Sequence, residues 1–138
     1  MGMSMEMTKQ FFDTKGLHYD ERKDGKAIRV SLGGMKNREG IRVSIIFDDN
    51  DKTVALRTYD LCKVPEDKLD RMYEACSELN RSFRWLKFYV DASDNTVTAE
   101  DDAIVTPESA GEEIFGILAR MVGIVDRAHP ELMKALWG

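Results

Sequence analysis

Acidic residues gather in two turns, and these are the first places where this chain could do chemistry. Asp48, Asp49 and Asp51 fall in one turn; Asp91, Asp94, Glu100, Asp101 and Asp102 surround another. A calcium loop of the EF-hand kind requires alternating oxygen ligands, a central glycine, a terminal glutamate and a helix on either side. The Asp91 segment has no glycine and lies between two strand patterns, so both groups read as solvated turns. His18 and His129 are the only histidines, and neither has a nearby serine or cysteine in a nucleophile motif. His129 precedes Pro130 at a helix end, where a cation suits the dipole. Cys62 and Cys76 form no CxxC pair, and two histidines are too few to complete a zinc site with them. Cys76 falls on an apolar helix face as a small hydrophobe, and Cys62 sits at a strand end; a disulfide between them is not implied in a reducing compartment. Gly33-Gly34 lacks the GxxxxGK[ST] pattern and opens no helix, so it reads as a turn. An enzyme would have to assemble its site from Cys62, His18 and scattered acids. The reading is therefore no catalytic residue, no metal and no cofactor.

Aromatic residues carry the stronger signal. In the strand over 84–90, Leu86, Phe88 and Val90 form one face, and Trp85, Lys87 and Tyr89 form the other. At strand rise, Trp85 and Tyr89 stand about 13 Å apart. Clustered aromatics on the outer face of a sheet suggest an interface, the alternative being that the N-terminal helix, a loop or surface packing covers them. Phe11 and Phe12 dominate the apolar side of a short N-terminal helix that can dock on the domain or on a partner. Trp85, Lys87, Tyr89, Phe11 and Phe12 are the candidate protein-binding residues.

The elements that must position them follow from periodicity and punctuation. A helix is expected over 5–15, stopped by Gly16. Strands follow over 17–21 and 27–32, joined by Lys23-Asp24-Gly25. The clearest strand runs over 41–48, with Ile41, Val43, Ile45 and Phe47 on one face; the next covers 53–61. Pro65, Glu66 and Asp67 open a helix whose apolar face is Leu69, Met72, Tyr73, Cys76 and Leu79, ending near Asn80 or Arg81. Asn80 tolerates left-handed backbone and reads as its C-cap. A hairpin pairs 84–90 with 96–100. Thr106-Pro107-Glu108 opens the last helix, with Ser109 and Glu112 as a competing capping box. Its stripe is Ile114, Ile117, Leu118, Met121, Val122 and Val125, and Pro130 is expected to break it before a short docking tail. The order α-β-β-β-β-α-β-β-α describes an α+β domain, an antiparallel sheet flanked by helices.

Length and charge bound the rest. The 138 residues fit one domain, 1–138, with 1–4 expected to be disordered, and are enough to build a core without staples. Hydrophobic residues are 43% and charged residues 33% of the chain, an ordinary globular balance. A formal charge of −5 repels phosphate backbones, so nucleic acid is not an expected partner. The first seven residues lack the layout of a secretory signal. The apolar stretch 114–125 is too short to span a bilayer, so no membrane partner is expected and the compartment reads as cytoplasmic.

Two segments then resemble a known family. Leu79-Asn80-x-x-Phe83-Arg84-Trp85-Leu86-Lys87-Phe88-Tyr89-Val90-Asp91 and the tail His129-Pro130-Glu131-Leu132-Met133-Lys134-Ala135-Leu136-Trp137-Gly138 are similar to the YbjN family, as is the element order over essentially the whole chain. The resemblance implies a fold similar to type III secretion chaperones, commonly dimeric, which bind an extended segment of a client. It implies no catalytic signature. The expected function is a non-enzymatic protein-interaction module, chaperone-like or regulatory, acting as a homodimer on an unidentified client. The alternative is a regulator that responds to a small ligand or a cation.

Overall fold

The computed structural model describes residues 2–138. Helix α1 (Met3–Thr14) is followed by strands β1 (Asp20–Glu21), β2 (Ala27–Leu32), β3 (Ile41–Phe47) and β4 (Thr53–Thr58). A 3-10 turn, Glu66–Lys68, leads into α2 (Leu69–Ser82); then come β5 (Lys87–Asp91), β6 (Thr96–Ile104) and α3 (Pro107–Trp137). All pairings are antiparallel, in the order β1-β2-β3-β4-β6-β5. The first four strands form the expected meander. Helix α2 then carries the chain past β4, so that β5 lies at the edge and β6 returns to fill the gap.

Register explains the two faces. Ile28, Ile45, Leu56 and Asp101 form one cross-strand row, and Val30 and Val43 another, on the face that the helices cover. These apolar side chains are buried with Phe12, Met72, Ile114, Met121 and Leu132 in one core. Each such side chain contributes about 1.5–3 kcal/mol through removal from water. The other face, which no helix among the described residues covers, carries the row Arg29, Ser44, Arg57, Glu100 and Lys87 across five strands.

Two expectations are corrected at the chain ends. Residues 1–4 were expected to be disordered, but α1 begins at Met3 and Ser4 is buried; Met1 lies outside the described residues. The reason is a cap supplied from afar. Gly2 has no side chain to cap the helix, and Asp51, in the β3–β4 turn, accepts hydrogen bonds from the backbone N–H of Met3 (3.2 Å) and Ser4 (2.8 Å). The Ser4 hydroxyl donates in return to the Asp51 carbonyl at 2.9 Å. Asp51 itself is left-handed, at φ 60°.

The second correction is Pro130. It does not break α3, which runs 31 residues to Trp137. A proline has no N–H to give the carbonyl four residues back, here that of Asp126. The side-chain amide of Asn37 supplies the missing donor at 2.9 Å. The Asp126 carboxylate in turn accepts from the backbone N–H of Lys36 (2.9 Å) and Asn37 (2.7 Å), so loop and helix repair each other. At its start α3 uses a capping box of Thr106 with Ser109, three residues earlier than the Ser109–Glu112 alternative.

Two outcomes follow. Asp51→Gly keeps the left-handed backbone but deletes the carboxylate that caps α1. It is expected to lower stability by about 1 kcal/mol, read as a reduced urea midpoint at unchanged slope, while Asp51→Asn loses little. The amides of Lys36 and Asn37 hold the Asp126 carboxyl below its ordinary value. A depressed folded pKa adds stability above the unfolded value near 4, and that stability is lost as pH falls through the folded value. Asp126→Asn is therefore expected to flatten the acid limb of a plot of urea midpoint against pH.

Candidate protein-binding surface

The sequence places Trp85 in a strand; the structure places it in a turn before one. The N–H of Leu86 donates to the carbonyl of Arg84 at 2.9 Å around a Trp85 φ of 78°. This is a three-residue γ-turn of the rare, strained sense, and a bulky side chain at positive φ is a genuine outlier. The turn removes Trp85 from the face shared by Lys87 and Tyr89 and brings its ring to α3, where the Arg120 guanidinium lies 5.2 Å from the ring centroid. Even so, Trp85 is 64% exposed. Two helical turns further, Arg127 lies 4.9 Å over the ring of Phe83. Two cation–π contacts thus fasten the 83–86 connection to one side of α3. Arg120 also approaches the Asp101 carboxylate at 4.0 Å. Burial raises the Asp101 pKa, although the N–H of Asp102 and the nearby arginines favour its charged form.

Lys87 and Tyr89 do occupy the helix-free face, as expected. Arg57 sits at its centre and binds Glu100 (2.8 Å) and Asp102 (2.9 Å), while Lys87 reaches Glu100 at 3.7 Å. Tyr89 is half-buried over this strip; burial first, then Glu100, raises its pKa. Tyr59 stands exposed nearby.

Phe11 and Phe12 pack against their own chain. Phe12 is fully buried in the core. Phe11 packs edge-on against Phe115 at 5.8 Å and over Gly111, where an added Cβ would come within 2.5 Å of the Phe11 Cβ. Their hydrophobicity seats α1 on α3.

Asn80 also departs from expectation. The helix continues to Ser82, and Asn80 is no C-cap. Its side-chain carbonyl accepts from the N–H of Phe88 at 2.7 Å, and its amide donates to the Phe88 carbonyl at 3.0 Å. One side chain thereby plays the part of a neighbouring strand near the start of edge strand β5. Such plugging protects an edge from pairing with another chain.

The remaining chemical candidates are engaged or inert. Burial pushes the thiols of Cys62 and Cys76 up to about 11, so both stay protonated at neutral pH. Burial, then Arg38, lowers the pKa of His129, whose Nδ1 is buried without a partner. Asp91 and Asp94 hold their own turn through Ser93 and Thr96. No group of three or more His, Cys, Asp and Glu that could hold a metal ion occurs among the described residues. An open groove of about 600 Å³ lies between α2 and α3, with Leu79, Phe83 and Ala135 among its lining residues and Arg71, Glu78 and Arg127 adding charge.

Sequence reasoning missed the length of β6. The strand runs to Ile104, whereas β5 begins opposite Glu100, so residues 101–104 overhang it. The signal was present: Val97, Ala99 and Ala103 continue a period-two apolar face that only Asp101 interrupts. Arg120, on the outer side of α3, carries no such signal, since its role depends on where the Trp85 turn falls.

Comparison with known proteins bears on the whole chain. A family model for YbjN, described as "Putative bacterial sensory transduction regulator", matches residues 4–135. No curated protein matches. Among solved structures, the chain is similar to the "Crystal structure of YbjN, a putative transcription regulator from E. coli", with a TM-score of 0.64, 16% identity and 91% of each chain covered. At that identity the likeness speaks for the fold.

Strain and contact at Trp85 make separate demands on substitution. Trp85→Gly removes the left-handed penalty of roughly 1–2 kcal/mol along with an exposed cation–π contact of about 0.5–1 kcal/mol, and adds the chain-entropy cost of glycine, about 0.5–1 kcal/mol. Trp85→Ala loses the contact and keeps the strain. The glycine variant is expected to melt close to the parent, and the alanine variant to be about 1 kcal/mol less stable; scanning calorimetry reads the difference.

Proposed function

The chain belongs to the YbjN family, and on that premise we propose that it is a non-enzymatic regulatory module that binds protein and acts as a homodimer. The observation that carries the reading is Trp85: a large aromatic held in a strained turn and left mostly in water. A strained, exposed aromatic contributes little to the fold of the single chain. Residues of this kind concentrate at binding sites, where tryptophan and arginine are the commonest anchors.

Around that anchor the surface is suited to another polypeptide. Arg120 beside Trp85, and Lys87 and Tyr89 on the helix-free sheet face, combine aromatic area with charge. The client side chains that fit are apolar or acidic ones that meet the indole and its arginines, as in the chaperone-like binding of an extended segment that the family resemblance implies. Protonated thiols and self-occupied acidic turns support a role without catalysis. No helix among the described residues is long and apolar enough to cross a membrane.

The test compares immobilised parent protein with Trp85→Gly, which is expected to keep its fold. Cell extract from a bacterium that carries the protein is passed over both, and retained proteins are quantified by mass spectrometry. Truncation of an anchoring tryptophan costs at least about 2 kcal/mol, roughly thirtyfold in affinity. The expectation is at least one partner strongly depleted on the glycine variant. Identical captured sets on both supports would remove Trp85 as the anchor.

A further inference from the structure

We propose that two copies of this chain join by pairing the overhanging ends of their β6 strands around a twofold axis at Ala103. The inference rests on the homodimer proposed above and assigns its surface.

Backbone direction along β6 is set by its other hydrogen bonds. The N–H and C=O of Val97 meet the 61–62 segment on the β4 side, and the N–H of Val105 meets the Lys52 carbonyl on that same side. Odd-numbered residues of β6 therefore point toward β4. The even ones point toward β5, consistent with Phe88 turning its own groups outward to Asn80. Thr96, Thr98 and Glu100 have β5 partners; Asp102 and Ile104 lie beyond its end. Among the described residues the Asp102 N–H is met only by the adjacent Asp101 carboxylate, at 2.9 Å. Ile104 is 82% exposed. A short sheet edge with unpaired backbone and a bare isoleucine is a template for strand addition.

The dimensions of the slot favour a second copy as its occupant. It is bounded at one end by the Trp85 turn and Lys87, and at the other by Thr106, where the chain leaves for α3. It admits a strand of about four residues that then turns away, which is the form of the 101–104 segment itself. With the axis at Ala103, Asp102 of each copy pairs with Ile104 of the other, and Asp102 never faces its own like. The charge in the seam is also answered locally, by Arg57 on Asp102 at 2.9 Å and Arg120 near Asp101 at 4.0 Å. An isologous contact consumes the same edge on both copies and closes the assembly. The other edges offer less to a second strand: β1 has two residues, and Asn80 occupies the outward groups of Phe88 on β5. The two Trp85 corners then stand at opposite ends of one shared seam, which gives a client two anchors.

Ala103 faces its own copy as a non-hydrogen-bonded antiparallel pair, with Cα atoms about 4.5 Å apart, within disulfide reach. Ala103→Cys is expected to convert to a covalent dimer under mild oxidation, seen on non-reducing gels, while the parent, with both thiols protonated, does not. Ile104→Pro deletes an N–H that has no partner among the described residues. It is expected to weaken dimerisation at least tenfold in sedimentation or light scattering with the circular dichroism spectrum unchanged. A parent dimer that Ile104→Pro leaves intact and Ala103→Cys fails to link would overturn this surface but leave the dimer standing. A parent that is monomeric at every concentration overturns both, and leaves the edge for an extended segment of a different protein.

Discussion

The apolar stripe of α3, from Ala110 to Leu136, is the contact on which the rest of the molecule depends. Sheet, α1 and α2 all bury residues against it, and eleven side chains of the helix are buried in return. A six-stranded sheet with one apolar face cannot remain in water uncovered, and a single helix of this length spans the face in one pass. The polar side of the same helix is then available to organise the surface. Arg120 and Arg127, seven residues apart, are fixed by the packing of the stripe and settle where the 83–86 connection lies.

Local signals made most of this legible before any coordinates. Alternation along 27–32 and 41–48, the apolar face of α2 and the stripe of α3 gave the order of elements and the core. What stayed hidden was held by partners remote in sequence. Pro130 ought to have ended a helix, but Asn37, more than ninety residues earlier, supplies the lost donor. Gly2 offers no cap, but Asp51 does. Acids at 100–102 looked like the end of a strand because a solvated turn and a charged edge strand have similar composition.

The candidate surface was legible in part for the same reason. Lys87 and Tyr89 obey strand periodicity and fall on the expected face. Trp85 does not, because a positive φ at one residue redirects a side chain in a way that no pattern encodes. Phe11 and Phe12 illustrate the converse. Their composition is that of an interface, and whether such residues meet a partner or their own core is decided by tertiary packing, here by the space that Gly111 leaves. Asn80 shows that a polar residue late in a helix can act on a strand instead of on the helix end.

The repair of α3 by Asn37 has a consequence for motion. Because the Asp126 carbonyl takes its donor from the loop, and the loop takes two acceptors from the Asp126 carboxylate, neither can open alone without stranding polar groups on the other. Loop 35–38 and the last turns of α3 therefore breathe as one unit, and their amides should share a single protection factor in hydrogen exchange even though some 90 residues separate them.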